Sequence, residues 1–114
     1  MQPVDSEAFE KLVVQAIDSL PEAFLEMLDN VVILIEDVHP TDHLLGLYEG
    51  VPHTERGDYG DMALPDRVTL YRLALCEFAE DEAMLAEEVQ ITVVHELAHH
   101  FGIDDDRLHE LGWD

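Results

Sequence analysis

His95, Glu96 and His99 are the residues of this chain whose types and spacing most directly suggest chemistry. On a helix, residues four apart lie about 40 degrees from each other and one turn along, so two imidazole rings can converge on one metal ion. Glu96 lies about 100 degrees around the helix, where its carboxylate can reach a metal-bound water without being a ligand. The spacing therefore indicates two ligands and a general base on one rigid element.

The residues after His99 extend this pattern. Gly102 follows His99 by three positions and Asp105 follows Gly102 by three, a combination expected by chance in roughly one shuffled sequence in a thousand. A glycine can end the helix in a left-handed turn, which would bring the chain back towards the metal. We therefore predict that His95, His99 and Asp105 bind Zn²⁺ and leave a fourth position for water, with Asp104 as the second choice for the carboxylate ligand.

The other histidines and acids near the motif have simpler interpretations. At least one of the three acids at 104–106 is expected to cap the helix that follows, because acids are favoured at a helix N-terminus. His100 faces away from His99 and is predicted to be packed or at the surface. His109 follows the motif and is interpreted as a solvated helix position, with a polar catalytic group as the alternative. No spacing ties the other three histidines to the motif: His39, His43 and His53.

The hydrophobic pattern predicts the elements that must carry these residues. The longest helical pattern runs from about Asp81 to Phe101 and ends at Gly102, where a C-terminal glycine is favoured. The other predicted helices are 5–19 with Ser6 as N-cap, 21–29 with Pro21 at its first position, and 106–111. The predicted strands are 31–38, 67–75 and, more weakly, 44–50, and residues 51–65 form a long loop.

Length and charge limit the classes of function. With 114 residues the chain forms one domain, 1–114, because two would need a longer sequence. The net charge of -22 argues against nucleic acid and anionic membranes as partners and favours basic ones. The single cysteine, Cys76, is interpreted as a core residue. Neither a secretory signal nor a membrane-spanning run is recognised, so the expected location is cytoplasmic.

Four segments resemble a known family. HELAHHFGIDDDRLHELG is similar to the signature of a family of small bacterial zincin-like metallopeptidases, and VVILIEDV, LLGLYEG and LPDRVTLYR resemble further parts of it in the same order. The resemblance implies a minimal zincin-like α+β domain, with a small mixed β-sheet packed on an active-site helix plus two to three further helices. It also implies that His95, His99 and Asp105 are the zinc ligands and that Glu96 is the base.

A third ligand of the aspartate type is also similar to the small snapalysin-type peptidases, whereas larger metzincins carry His there. Metzincins continue to a methionine-bearing turn beneath the metal. Here nine residues follow Asp105 and none is Met, so either that turn is absent or Met62 or Met84 takes its place.

The function predicted from these residues is peptide-bond hydrolysis by a zinc-bound water that Glu96 activates. Tyr71, Tyr48 and His109 are candidate donors to the oxyanion. The substrate is a peptide or protein, with basic sequences favoured by the acidic surface. An exposed sheet edge, either 67–72 or 44–48, could hold it as an added strand.

Two other interpretations stay open. The chain could be a catalytically inactive, zinc-stabilised binding module whose fourth ligand is a protein group such as His109. It could also be an interaction domain without a metal. The sequence does not predict the oligomeric state.

Overall fold

The computed structural model describes residues 1–50, 64–110 and 112–113, apart from the side chain of Asp105. Along the described sequence, two helices precede the three strands and three helices follow them. Their bounds are α1 (Ser6–Asp18), α2 (Glu22–Met27), β1 (Val31–Glu36), β2 (Gly46–Glu49), β3 (Asp66–Tyr71), α3 (Arg72–Phe78), α4 (Glu82–Phe101) and α5 (Asp105–Glu110). This α+β arrangement with a small mixed sheet confirms the predicted fold class.

The three strands form one mixed sheet with the order β1-β3-β2. β1 runs parallel to β3, with Val31 opposite Asp66. β2 runs antiparallel to β3, with Gly46 opposite Leu70. Since β3 is the central strand, the prediction that residues 67–72 could form a sheet edge is wrong. Among the described strands, β1 and β2 are the edges.

The core lies where α4 packs on the sheet and on α1. The apolar side chains along one side of α4 are fully buried, and they are Leu85, Val89, Val93, Val94 and Leu97. From α1, Phe9, Val13 and Ala16 join the same core. Cys76 is completely buried and free, which confirms the interpretation of its apolar surroundings in the sequence. Since the buried face of α4 extends to Leu97, this core holds the histidine-bearing end of the helix in place.

α3 corrects one prediction from the sequence. The pattern over 67–75 predicts a single strand, but the strand ends at Tyr71 and a helix begins at Arg72. The alternation of apolar residues holds for Val68 and Leu70 and then fails, because residues 73–76 are all apolar. Leu, Ala and Glu are good helix formers, so the run LALCEF turns into a helix with Ala74, Leu75 and Cys76 buried.

Two helix starts also differ from the prediction. The N-cap of α1 is Asp5 rather than Ser6, and its carboxylate accepts a hydrogen bond from the Ala8 N–H at 2.8 Å. Asp and Ser are similarly good N-caps, so the sequence alone does not separate them. Pro21 is the N-cap of α2 rather than its first helical residue.

Most of the predicted loop 51–65, with Met62, lies outside the described residues. No helix in the described parts of the chain is both long and apolar enough to cross a membrane.

Candidate metal and catalytic site

The helix α4 carries His95, Glu96 and His99 in its last two turns, as predicted. It begins after Asp81, whose carboxylate accepts a hydrogen bond from the Met84 N–H at 2.8 Å. It ends at Gly102, which has a φ of 71°, and the N–H groups of Gly102 and Ile103 both bond to the Ala98 carbonyl. A left-handed residue at this point is a common helix ending that glycine adopts without steric cost. The glycine therefore reverses the chain directly after the motif.

All three motif side chains border one cleft between α4 and the segment that leads into β2. We call it the motif cleft, and its volume is about 400 Å³. Its lining residues are His43, Leu44, Leu45, Gly46, Glu88, Ile91, Thr92, His95, Glu96 and His99. The His99 side chain is 78% exposed, whereas that of Glu96 is 21% exposed. The structure therefore brings the two imidazoles and the carboxylate to the same solvent-accessible space.

The Glu96 carboxylate is hydrogen-bonded to β2 and lies near His99. Its Oε1 accepts a hydrogen bond from the Tyr48 N–H of β2 at 3.2 Å. Its Oε2 lies 3.8 Å from Nδ1 of His99. The half-buried carboxylate thus lies between the edge strand and the exposed histidine, and its position depends on how β2 packs against α4.

β2 approaches α4 closely at Gly46. A Cβ added to this glycine would lie 2.5 Å from the Cγ2 atom of Thr92 and 3.2 Å from the Thr69 carbonyl oxygen. Any side chain at position 46 would therefore push the strand away from the helix. Glycine inside a strand pattern often marks such a close approach, so the sequence LLGLYEG contained a signal for this contact.

The His95 ring is partly buried, and its Nε2 lies 3.2 Å from the Trp113 carbonyl oxygen. In this arrangement a protonated Nε2 donates to the carbonyl, and Nδ1 carries the lone pair. Trp113 therefore lies on the His95 side of the motif.

The predicted carboxylate ligands fare differently. Asp105 is the first residue of α5, but its side chain lies outside the described part. Asp104 caps α5, because its Oδ1 accepts a hydrogen bond from the Arg107 N–H at 2.8 Å, so the expected capping role falls to this acid. The chemistry of two imidazoles at one cleft fits Zn²⁺. Among the described side chains, no group of three or more potential ligands is arranged to hold a metal.

His100 packs outside the motif cleft, as expected. Its ring stacks on Tyr48 with centroids 4.0 Å apart, and its Nε2 lies 3.7 Å from Oδ2 of Asp66. The Tyr48 hydroxyl donates to the same carboxylate oxygen at 2.7 Å. This partly buried cluster ties the end of α4 to β2 and β3 and supports the strand that holds Glu96.

The tyrosines proposed as oxyanion donors are placed elsewhere. Tyr48 uses its hydroxyl on Asp66, and Tyr71 is 2% exposed in the core. Burial, together with the nearby charges of Glu36 and Glu49, raises the pKa of Tyr71 above its ordinary value. His109 is an exposed residue of α5. No spacing in the sequence selects His43, yet the structure places it on the wall of the motif cleft.

Met84 does not lie beneath the motif. It is eleven residues before His95 on the same helix, which corresponds to roughly 16 Å along the axis. Its sulfur accepts a hydrogen bond from the Glu80 N–H at 3.4 Å. The methionine turn of the metzincins therefore has no substitute at Met84, and Met62 lies outside the described residues.

The fold and the motif together define a small α+β domain with an HExxH helix against a short mixed sheet. Residues 28–113 match the family model of the zincin-like metallopeptidases. Because this match spans most of the sequence, the chain belongs to the zincin-like metallopeptidase family. A conserved hypothetical protein from Thermus thermophilus has a similar structure, with a TM-score of 0.55 and 27% identity over 86% of this chain and 94% of that chain. No curated protein matches the chain.

Proposed function

We propose that this member of the zincin-like family hydrolyses peptide bonds with a zinc ion held by His95, His99 and Asp105. The observation that supports this most directly is that His95, Glu96 and His99 line one open cleft beside a sheet edge. When bound, the zinc would lower the pKa of a water ligand to about 7 and polarise the scissile carbonyl. The residues of the chain supply the proton transfers, the substrate backbone contacts and the second electrostatic donor.

Glu96 is the proposed general base. One carboxylate oxygen is fixed by the Tyr48 N–H, and the other lies towards His99. A carboxylate in this position accepts the proton of the attacking water and passes it to the leaving amine. Its hydrogen bond to the edge strand would hold it beside the peptide rather than among the metal ligands.

His43 is the proposed donor to the developing oxyanion. It borders the motif cleft, whereas the hydroxyl of Tyr48 is bonded to Asp66 and Tyr71 lies in the core. A histidine across the cleft from the general base can donate a hydrogen bond to charge that forms on the carbonyl oxygen. Replacing His43 with Ala should therefore lower kcat more than it raises KM.

β2 is the proposed docking strand for the substrate. The Tyr71 N–H donates to the Leu45 carbonyl, so the backbone N–H and C=O groups of Leu45 point towards β3. By alternation, the backbone groups of Gly46 and Tyr48 point away from β3. The outward N–H and C=O groups of Gly46 can pair with an extended peptide. The overall charge of -22 favours peptides rich in Lys and Arg.

The test compares Glu96→Gln with Glu88→Gln, which removes the same charge from the wall of the same cleft. Both purified variants are loaded with zinc, analysed for metal content, and incubated with a mixed library of basic peptides followed by mass spectrometry. We expect one zinc per chain in both variants. Cleavage should fall about 10²- to 10⁴-fold in Glu96→Gln and stay within about threefold of wild type in Glu88→Gln. Equal cleavage by wild type and Glu96→Gln would refute the mechanism.

A zinc-stabilised binding module is the second candidate. The contact between His95 Nε2 and the Trp113 carbonyl favours it, because it brings Trp113 to the His95 side of the motif, where a protein group could fill the fourth position on the metal. This candidate predicts that a chelator lowers the melting temperature while no peptide of the library is cleaved at any metal loading. A zinc content below about 0.1 per chain would exclude both candidates.

A further inference from the structure

Among the described strands, β1 forms the second edge of the sheet, away from the motif cleft. The Asn30 carbonyl accepts a hydrogen bond from the Asp66 N–H at 3.2 Å. The backbone N–H and C=O groups of the even-numbered residues of β1 therefore point towards β3. Because direction alternates along a strand, the N–H and C=O groups of Ile33 and Ile35 point away from β3. Among the described residues these four groups have no hydrogen-bonding partner. An edge of this kind is a template for pairing with another strand.

An apolar groove of about 450 Å³ runs along this edge, between β1 and α1. Its lining residues are Glu10, Val13, Val14, Ile17, Asp18, Ile33, Leu34 and Ile35. Val14 is 53% exposed, Leu34 is 40% exposed, and Val32 on the same face as Leu34 is 38% exposed. A strand added to β1 would cover Val14 with one of its faces and Val32 and Leu34 with the other. The apolar surface and the unpaired backbone therefore call for the same kind of occupant.

The charges at the groove select the chemistry of that occupant. Glu10 and Asp18 line it, Glu36 ends β1, and no described Lys or Arg lines it. Within the described parts of the chain, none of these three acids forms an ion pair. Glu10 and Asp18 are eight residues apart, about 12 Å along the helix, which an extended segment covers in about four residues.

We propose that the β1 edge binds an extended segment of a partner protein, with alternating apolar side chains and Lys or Arg residues about four positions apart. The backbone of the segment would pair with Ile33 and Ile35, its apolar side would cover Val32 and Leu34, and its basic residues, on the opposite side, would meet Glu10 and Asp18 of α1. A second copy of this chain is disfavoured, because each copy carries a charge of -22 and would bring its own acids to the same groove.

The probe is a fluorescent peptide of sequence Thr-Lys-Ile-Thr-Val-Lys-Ile-Thr, titrated against the Glu96→Gln chain so that cleavage does not interfere. We expect binding in the range of about 10–100 μM. Two further peptides are N-methylated on alternate amides, one on each set. Only one set faces β1, so one methylated peptide should bind at least about tenfold more weakly and the other within about threefold of the parent. Equal effects of both methylations, or no binding at about 100 μM, would overturn the proposal.

Two double variants test the charges. Glu10→Lys with Asp18→Lys reverses the groove acids, and Glu82→Lys with Glu87→Lys makes the same change in net charge on α4, outside the groove. The first pair should weaken binding about tenfold or more, and the second by about threefold or less. Equal losses would reduce the effect to general charge attraction and overturn the proposal. Sedimentation that gives a dimer, lost in the groove variant, would assign the edge to a second copy and also overturn it.

Discussion

Substitution of Gly46 by alanine tests whether the close approach of β2 to α4 holds the candidate site together. The new methyl group would lie 2.5 Å from Cγ2 of Thr92 and 3.2 Å from the Thr69 carbonyl oxygen. Carbon atoms rest about 3.5–4.0 Å apart, so the strand or the helix must shift by about 1 Å. Overpacking of this size costs about 1–3 kcal/mol, and we expect the free energy of unfolding to fall by about 2 kcal/mol.

The partner substitution Thr92→Ser removes the methyl group that the alanine would strike. Alone it should cost about 1 kcal/mol, because one buried methyl group is lost. Combined with Gly46→Ala it should recover about 1 kcal/mol of the alanine penalty, since the contact with the Thr69 carbonyl remains. Urea unfolding of the four proteins, followed by circular dichroism, gives this coupling energy.

A second measurement connects the clash with Glu96. The Tyr48 N–H bonds to the Glu96 carboxylate at 3.2 Å, so its exchange with deuterium should be slow in wild type and faster in Gly46→Ala. Thr92→Ser should restore part of the protection. The reasoning is refuted if Gly46→Ala costs less than about 0.5 kcal/mol, or if Thr92→Ser does not lessen its effect.

Two further outcomes follow from the backbone and from burial. Gly102→Ala should lower the free energy of unfolding by about 1 kcal/mol, because alanine disfavours a φ of 71°. The cost is conformational, since nothing lies within 4 Å of the added methyl group. Gly102→Asn should lower the free energy of unfolding by less, and equal losses in thermal melts would contradict this reasoning. Burial raises the pKa of Tyr71 in the folded state. The protonated hydroxyl therefore contributes fully to the free energy of unfolding below about pH 10, and this contribution is lost as the pH rises through the folded pKa. The unfolding free energy of Tyr71→Phe should therefore decline less steeply above about pH 10, and parallel curves would exclude this role.

The motif helix can be predicted from the sequence because its signals are local. Asp81 lies just before the apolar pattern and Gly102 just after it, and both act as helix caps. The regular recurrence of apolar residues between them needs no information from the rest of the chain. The strand over 31–38 is recognisable for a similar reason, since a dense run of β-branched residues has few alternatives.

The parts that could not be predicted depend on contacts distant in the sequence. His43 meets the motif only because the segment before β2 packs beside α4. The Tyr48 amide bonds to a carboxylate 48 residues later, and no spacing rule connects them. α3 escapes prediction because a continuous apolar run fits either a buried strand or a buried helix. The role of Asp105 as the third zinc ligand stays a prediction, because its side chain lies outside the described part.

The hydrogen bond between the Tyr48 N–H and Glu96 also gives the two edge strands, β1 and β2, different capacities to pair with a further strand. An unpaired strand invites polymerisation, because each new strand finds a row of free donors and acceptors. On β2 the Tyr48 donor is already satisfied by a half-buried carboxylate, so fibrous growth from that side would first have to displace a charged group. β1 has no such guard among the described residues. If this protein aggregates at high salt, where its charge of -22 is screened, the assembly should therefore spread from β1.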